Sequence, residues 1–193
     1  MDEFLQLRIE LDRAITFGRD VEALAIAQNG LAAAKAKNLP AEAEYFRAQF
    51  FILDEDFLAA ITHLNKAVEL NPHDGAAFND KALCLAELGK LDEALSNFDQ
   101  GILAEPDYAT IYHNKGWLLN KLGRFHEAIE CFNKALELEP ERPVTYENLG
   151  DVYLNLGLKN NARQAYQNAL KCLPDDCETI KEQLEKLIRE VSL

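Results

Sequence analysis

The line LGRFHEAIECFNKALELEP, residues 122–140, alternates apolar and polar positions at a helical period, with Ala128, Phe132, Ala135 and Leu136 on one stripe. A second such run lies just before it, and the spacing predicts one helix from about Thr110 to Lys121 and another from about His126 to Leu138. Gly123 falls between them, where a helix can end in the left-handed region without a Cβ penalty. The same line recurs as LGKLDEALSNFDQGILAEP from Leu88, as LGLKNNARQAYQNALKCLP from Leu156, and more loosely as LDEDFLAAITHLNKAVELNP ending at Pro72. Its closing prolines stand at 72, 106, 140 and 174, one every 34 residues. Proline cannot continue the hydrogen-bond ladder, so each one stops the second helix of its pair.

The period divides the chain into blocks 41–74, 75–108, 109–142 and 143–176, each a helical hairpin. Small residues recur where helices must approach closely: Ala60, Ala94, Ala128 and Ala162 in one slot, and Ala67, Gly101, Ala135 and Ala169 in another. Ala48, Ala82, Gly116 and Gly150 form a third slot, on the first helix. Large residues fill the gaps beside them, Leu64, Phe98, Phe132 and Tyr166 on second helices and Phe78, Tyr112 and Tyr146 on first helices. Alternating knobs and clefts let each hairpin bury its apolar face on its neighbours.

This order of large, small and aromatic residues over 34 positions resembles the tetratricopeptide repeat family. The third block carries it best, through Tyr112, Lys115, Gly116, Leu119, Gly123, Ala128, Phe132, Ala135 and Pro140. Block 41–74 departs most, with Glu44 at the large first-helix slot and Glu55 at the turn glycine. The resemblance implies an all-α fold, an α-solenoid wound as a right-handed superhelix, in one domain over 1–193. Residues 1–40 read as a degenerate N-terminal repeat displaced by three residues, matching at Gly18, Glu22, Ala23, Gly30 and Leu31, with a plain capping hairpin as the alternative. Asn38, Leu39 and Pro40 read as an insertion. Beyond Pro174 one amphipathic helix is expected, a capping helix over 177–193. Its apolar stripe is Ile180, Leu184, Leu187, Ile188 and Val191, with Glu182–Lys186 and Glu185–Arg189 as i,i+4 pairs.

Composition narrows the function. The chain of 193 residues is 48% hydrophobic, enough to bury a core, and carries a formal charge of −13, which excludes a uniformly basic surface for nucleic acid or anionic lipid. Blocks 41–74 and 75–108 each hold seven acids against two bases, while 109–142 balances five against five. The acidity reads as a solvated face, or else as steering for a basic partner. The acidic start MDEFLQLRIELD does not read as a signal peptide, and no apolar run has the length of a membrane span, so cytoplasmic residence is expected. Cys84, Cys131, Cys172 and Cys177 form no CxxC pair and read as small apolar residues, with a disulfide or metal role for Cys172 and Cys177 as the minor alternative.

His63, His73, His113 and His126 occupy unrelated slots, the glycines are spent on turns and packing, and most carboxylates sit at outward positions. Neither a metal site, a cofactor site nor a catalytic constellation is expected, and the chain reads as no enzyme. Recognition of a protein or peptide partner remains. The resemblance implies a concave groove lined by first helices. Its candidate residues are Tyr45, Phe46 and Gln49 in block 41–74 and Asn79, Asp80 and Leu83 in block 75–108. Blocks 109–142 and 143–176 add His113, Asn114, Trp117 and Asn120, and Glu147, Asn148 and Asp151. Trp117 is expected to point into the groove as an anchor, with cover by a neighbouring side chain as the alternative. The carboxylate clamp that some family members use on heat-shock chaperones is not expected, because of its slots only Asn114 matches. The alternatives are a scaffold that self-associates through its N-terminal face or closing helix, or a regulatory subunit of a separate enzyme.

Overall fold

The computed structural model describes residues 3–16, 18–174 and 177–191, which fold as α-helices joined by short turns. In chain order they are α1 (Glu3–Thr16), α2 (Asp20–Ala36), α3 (Pro40–Leu53), α4 (Phe57–Leu70), α5 (Gly75–Glu87) and α6 (Leu91–Ala104). Then follow α7 (Ala109–Lys121), α8 (Phe125–Leu138), α9 (Pro143–Asn155), α10 (Lys159–Cys172) and α11 (Glu178–Glu190). The chain divides into two compact units, Met1–Pro106 and Asp107–Leu193. Within each, successive helices pack as hairpins: α3 with α4 and α5 with α6 in the first, α7 with α8 and α9 with α10 in the second.

The turns explain the hairpins. Gly18, Asn38, Glu55, Gly89, Gly123 and Gly157 all have positive φ. Each is followed by an N-cap residue whose carbonyl accepts the amide of an alanine four positions on, namely Ala23, Ala43, Ala60, Ala94, Ala128 and Ala162. All six alanines are buried, because the helix that leaves the turn must lie against the helix that entered it. Glu55 adopts the left-handed conformation in the slot where its counterparts are glycine. Asn38, expected within an insertion, is instead such a turn residue, and Pro40 is the first residue of α3. Asparagine tolerates this conformation and proline is preorganised for a helix start.

The glycine–aromatic interlock lies within the hairpins. A Cβ on Gly116 would lie 2.9 Å from a Phe132 ring carbon, and one on Gly150 2.4 Å from the Tyr166 ring. Gly30 of α2 makes the same cleft for Phe46 of α3, at 2.4 Å. Phe98, Phe132 and Tyr166 are fully buried, as are Ala67, Ala135 and Ala169. Leu184 of α11 and Val191 just after it are buried against Ala162, Tyr166 and Ala169, and Ile180, Leu187 and Ile188 pack beside them. Residues 192–193, the end of the expected capping helix, and residues 175–176 before it lie outside the described residues. Arg189 approaches Glu185 at 3.8 Å as expected, but Lys186 turns to Glu190 instead of Glu182, also at 3.8 Å. No helix among the described residues is long and apolar enough to cross a membrane.

Candidate partner-binding faces

In the unit Met1–Pro106 the first-helix slots lie on α3 and α5, with α1 beside them. They are filled from within. Arg8 of α1 reaches Asp74, the N-cap of α5, through two bonds of 2.7 and 2.8 Å, and Glu42 of α3 at 2.9 Å. Its guanidinium lies 3.7 Å from the centre of the Tyr45 ring. Burial works against the Arg8 charge, but the bond to Asp74 and the surrounding negative charge hold its pKa above the ordinary value. Next to this node, Gln49 donates to Asp80 at 2.7 Å and Asn79 donates to the other carboxylate oxygen at 3.1 Å. Asp80 is thus satisfied by neutral donors, and burial, only partly offset by these bonds, pushes its carboxyl up to about 6.

This arrangement corrects the expected groove at four positions. Tyr45, Phe46, Gln49 and Asn79 are buried, with Phe46 fully so beneath Gly30 and against the Phe4 and Tyr45 rings. Asp80 and Leu83 of α5 keep partial exposure. Carboxylates expected to point outward also turn inward, Asp74 onto Arg8 and Glu44 onto His63 at 2.6 Å. Sequence reasoning missed Arg8, although a signal existed. The displacement of three residues that brings Gly18 into phase with Glu55 also puts Arg8 in the slot of Tyr45, Asn79, His113 and Glu147.

In the unit Asp107–Leu193 the slots lie on α7 and α9 and are more open. Of the groove residues expected on these helices, His113 is buried and serves the fold, a further correction. Burial, and the nearby Arg142 charge, push its pKa down to about 3, so the ring is neutral. Its Nδ1 lies 2.9 Å from the Thr145 hydroxyl, and the Asn148 amide nitrogen approaches its Nε2 at 3.5 Å. Arg142 adds a second tie between the same helices, donating to Thr110 at 3.0 Å. Asn155 donates to Asn120 at 3.2 Å.

Asn114, Trp117, Asn120, Glu147, Asn148 and Asp151 all keep partial exposure. Lys121, one turn beyond Trp117, sets its ammonium 3.8 Å from the centre of the indole ring. This i,i+4 contact covers part of the tryptophan, as the alternative reading of Trp117 has it. Glu147 and Asp151 follow each other by one turn on α9, and no basic residue pairs with either among the described residues. Burial first, and then the Asp151 charge, raises the Glu147 carboxyl. Burial also raises Asp151, although the Tyr166 hydroxyl donates to it at 2.6 Å.

Cys84 is buried and its thiol is pushed up to about 12, chiefly by burial, which makes it an inert packing residue. Among the described residues no group of His, Cys, Asp or Glu could hold a metal ion.

Helical hairpins repeated in phase, with glycine–aromatic interlocks and left-handed turns, define an α-solenoid of helix-turn-helix repeats. Three family profiles, each described as tetratricopeptide repeat, match residues 51–115, 109–142 and 131–164, and so span the chain from 51 to 164. The chain belongs to the tetratricopeptide repeat family. No curated protein matches the sequence. Solved structures share the fold. TTC0263, a thermophilic TPR protein in Thermus thermophilus, is 22% identical over 95% of this chain and 97% of its own, with a TM-score of 0.76. YrrB, a TPR protein with an unusual peptide-binding site, is 19% identical over 91% and 88%, with a TM-score of 0.63. The first TPR of Spaghetti (RPAP3), bound to the HSP90 peptide SRMEEVD, is 21% identical over 64% and 97%, with a TM-score of 0.56.

Proposed function

We propose that this protein is a non-catalytic interaction module that binds a segment of a partner protein on first-helix faces, chiefly the face of α7 and α9. The observation that carries the reading is the contrast between the two units. On α3 and α5 most first-helix slots are buried, whereas on α7 and α9 an aromatic ring, three amides and two carboxylates without a basic partner keep partial exposure. Trp117 supplies the rigid apolar contact typical of interface anchors. Asn114 and Asn148, with donors and acceptors in one group, suit the backbone of an extended segment. Glu147 and Asp151 would be relieved by a basic side chain of the partner, and the acidic blocks 41–74 and 75–108 would speed its arrival. Peptide binding by YrrB and by the first TPR of Spaghetti supports the general role. The chaperone clamp is set aside: Leu83 and Val144 stand at two of its slots, and Asn79, at a third, is buried and bonded to Asp80.

The test is an affinity capture from native lysate with the wild-type chain and with the Trp117→Ala, Asn114→Ala double variant, read by mass spectrometry. Proteins lost only from the variant, and bound by wild type at least about 1 kcal/mol more tightly when purified, are the expected result. Identical lists would move recognition off this face.

A second reading, self-association through the N-terminal helices, draws on Val21 and Leu24 of α2, which are 86% and 40% exposed. Light scattering across a concentration series decides it, since only assembly makes mass depend on concentration.

A further inference from the structure

We propose that the cleft between α8 and α10, floored by α9, is a second peptide site that takes an uncharged proline-rich segment in the polyproline II conformation. The cleft holds about 550 Å³, inside the roughly 300–1,000 Å³ range of ligand sites. It lies on another stripe of α9 from Glu147 and Asp151, and its floor is Tyr146, Leu149 and Tyr153.

Three features select the occupant. The first is spacing. Tyr146 and Tyr153 stand seven residues apart on one face of α9, about 10 Å at the helical rise of about 1.5 Å per residue. A polyproline II segment presents the same edge every three residues, about 9 Å, so both rings meet side chains one ligand turn apart. Both tyrosines pack against the core of α10 and α11, which fixes the rings before a ligand arrives.

The second is hydrogen bonding. The hydroxyls of Tyr146 and Tyr153 and the amides of Asn133 and Asn161 make no hydrogen bond among the described residues, and all four residues line the cleft. A proline-rich backbone has carbonyl acceptors with no internal partner and few N–H groups, so it needs donors, which these four groups supply.

The third is charge. In a chain of formal charge −13 the cleft is lined by one ionised group, Glu137, and Lys134 already pairs with it at 3.0 Å. Glu137 thus repels a glutamate-bearing segment and is already matched by Lys134 against a lysine-bearing one, whereas a neutral segment needs no counter-ion. Aromatic-lined grooves that exploit the preformed polyproline II helix are a known mode of peptide recognition.

The probe is fluorescein-labelled decaproline, titrated with the full chain and followed by anisotropy, with a ten-residue Gly-Ser peptide as control. Asn133 and Asn161 are exposed, so the Asn133→Ala, Asn161→Ala variant keeps the fold, as circular dichroism would verify. Tyr153→Phe removes a hydroxyl alone. Saturable binding of decaproline, weakened about tenfold by the double variant through two lost hydrogen bonds, weakened also by Tyr153→Phe and untouched by Trp117→Ala, is the expected result. No saturation at about 1 mM chain overturns the proposal. So does equal binding of the Gly-Ser peptide, or full-strength binding by the double variant. Because Trp117 lies on the other face, failure here leaves the α7 and α9 reading standing.

Discussion

Asp80 imposes a cost on its own helix. Its carboxyl titrates at about 6 in the folded chain, against about 3.9 for an unfolded aspartate. Between those values the folded state holds a proton that the unfolded state has released. Stability therefore falls as pH rises through that window, and the penalty is complete above it. Asp80→Asn removes the titration. Its melting temperature relative to wild type should be more favourable at pH 7.5 than at pH 4.5, and a pH-independent difference would show that Asp80 carries no such load. Gly150 makes a different demand, for space. Gly150→Ala drives a methyl against the Tyr166 ring, 2.4 Å away, and should cost about 1–3 kcal/mol in urea unfolding. At this scale the packing residues were legible and the polar ones were not. Apolar periodicity marks residues such as Phe132 because their burial needs no particular partner. Tyr45, Gln49 and His113 are tied to groups on other helices, Arg8, Asp80 and Thr145, and Asn79 is tied to its neighbour Asp80; period alone cannot announce such pairs.

At the scale of the element, helix positions followed from spacing and the turns from glycine, but Glu55 shows that the turn geometry does not depend on the residue. It keeps φ 56 where glycine stands at 89, 123 and 157. A left-handed residue with a Cβ costs about 1–2 kcal/mol, partly offset because glycine loses more entropy on folding. Glu55→Gly is therefore expected to stabilise the chain by about 0.5–1 kcal/mol, measured as a raised urea midpoint with unchanged slope. A lower midpoint would mean that the Glu55 side chain has a role of its own. The α1 helix was legible only as a displaced match to later repeats. What fastens it is Arg8, which joins α1 to Glu42 of α3 and to the α5 N-cap Asp74. Arg8→Met leaves Asp74, itself only 4% exposed, without its counter-ion. The expected loss is about 3–5 kcal/mol by denaturant titration, far more than for an exposed pair such as Arg19–Glu22.

For the whole molecule, the 34-residue period made the family legible and left the partner unnamed. Repetition is imposed by the need to bury each hairpin on the next, so it reports packing. In the proposed reading, recognition resides in residues that repetition leaves variable, such as Trp117 and Asp151, and these carry no periodic signal. The central claim is that a partner segment settles on the α7 and α9 face. The chain has one tryptophan, and it lies on that face, so its emission reports on that place alone. The measurement is a fluorescence titration of the intact chain, excited at the tryptophan band, with a tryptophan-free segment of the captured partner. The account predicts a saturating change in Trp117 emission with the same midpoint as binding measured by calorimetry. Emission unchanged at full saturation would place the partner elsewhere and contradict it.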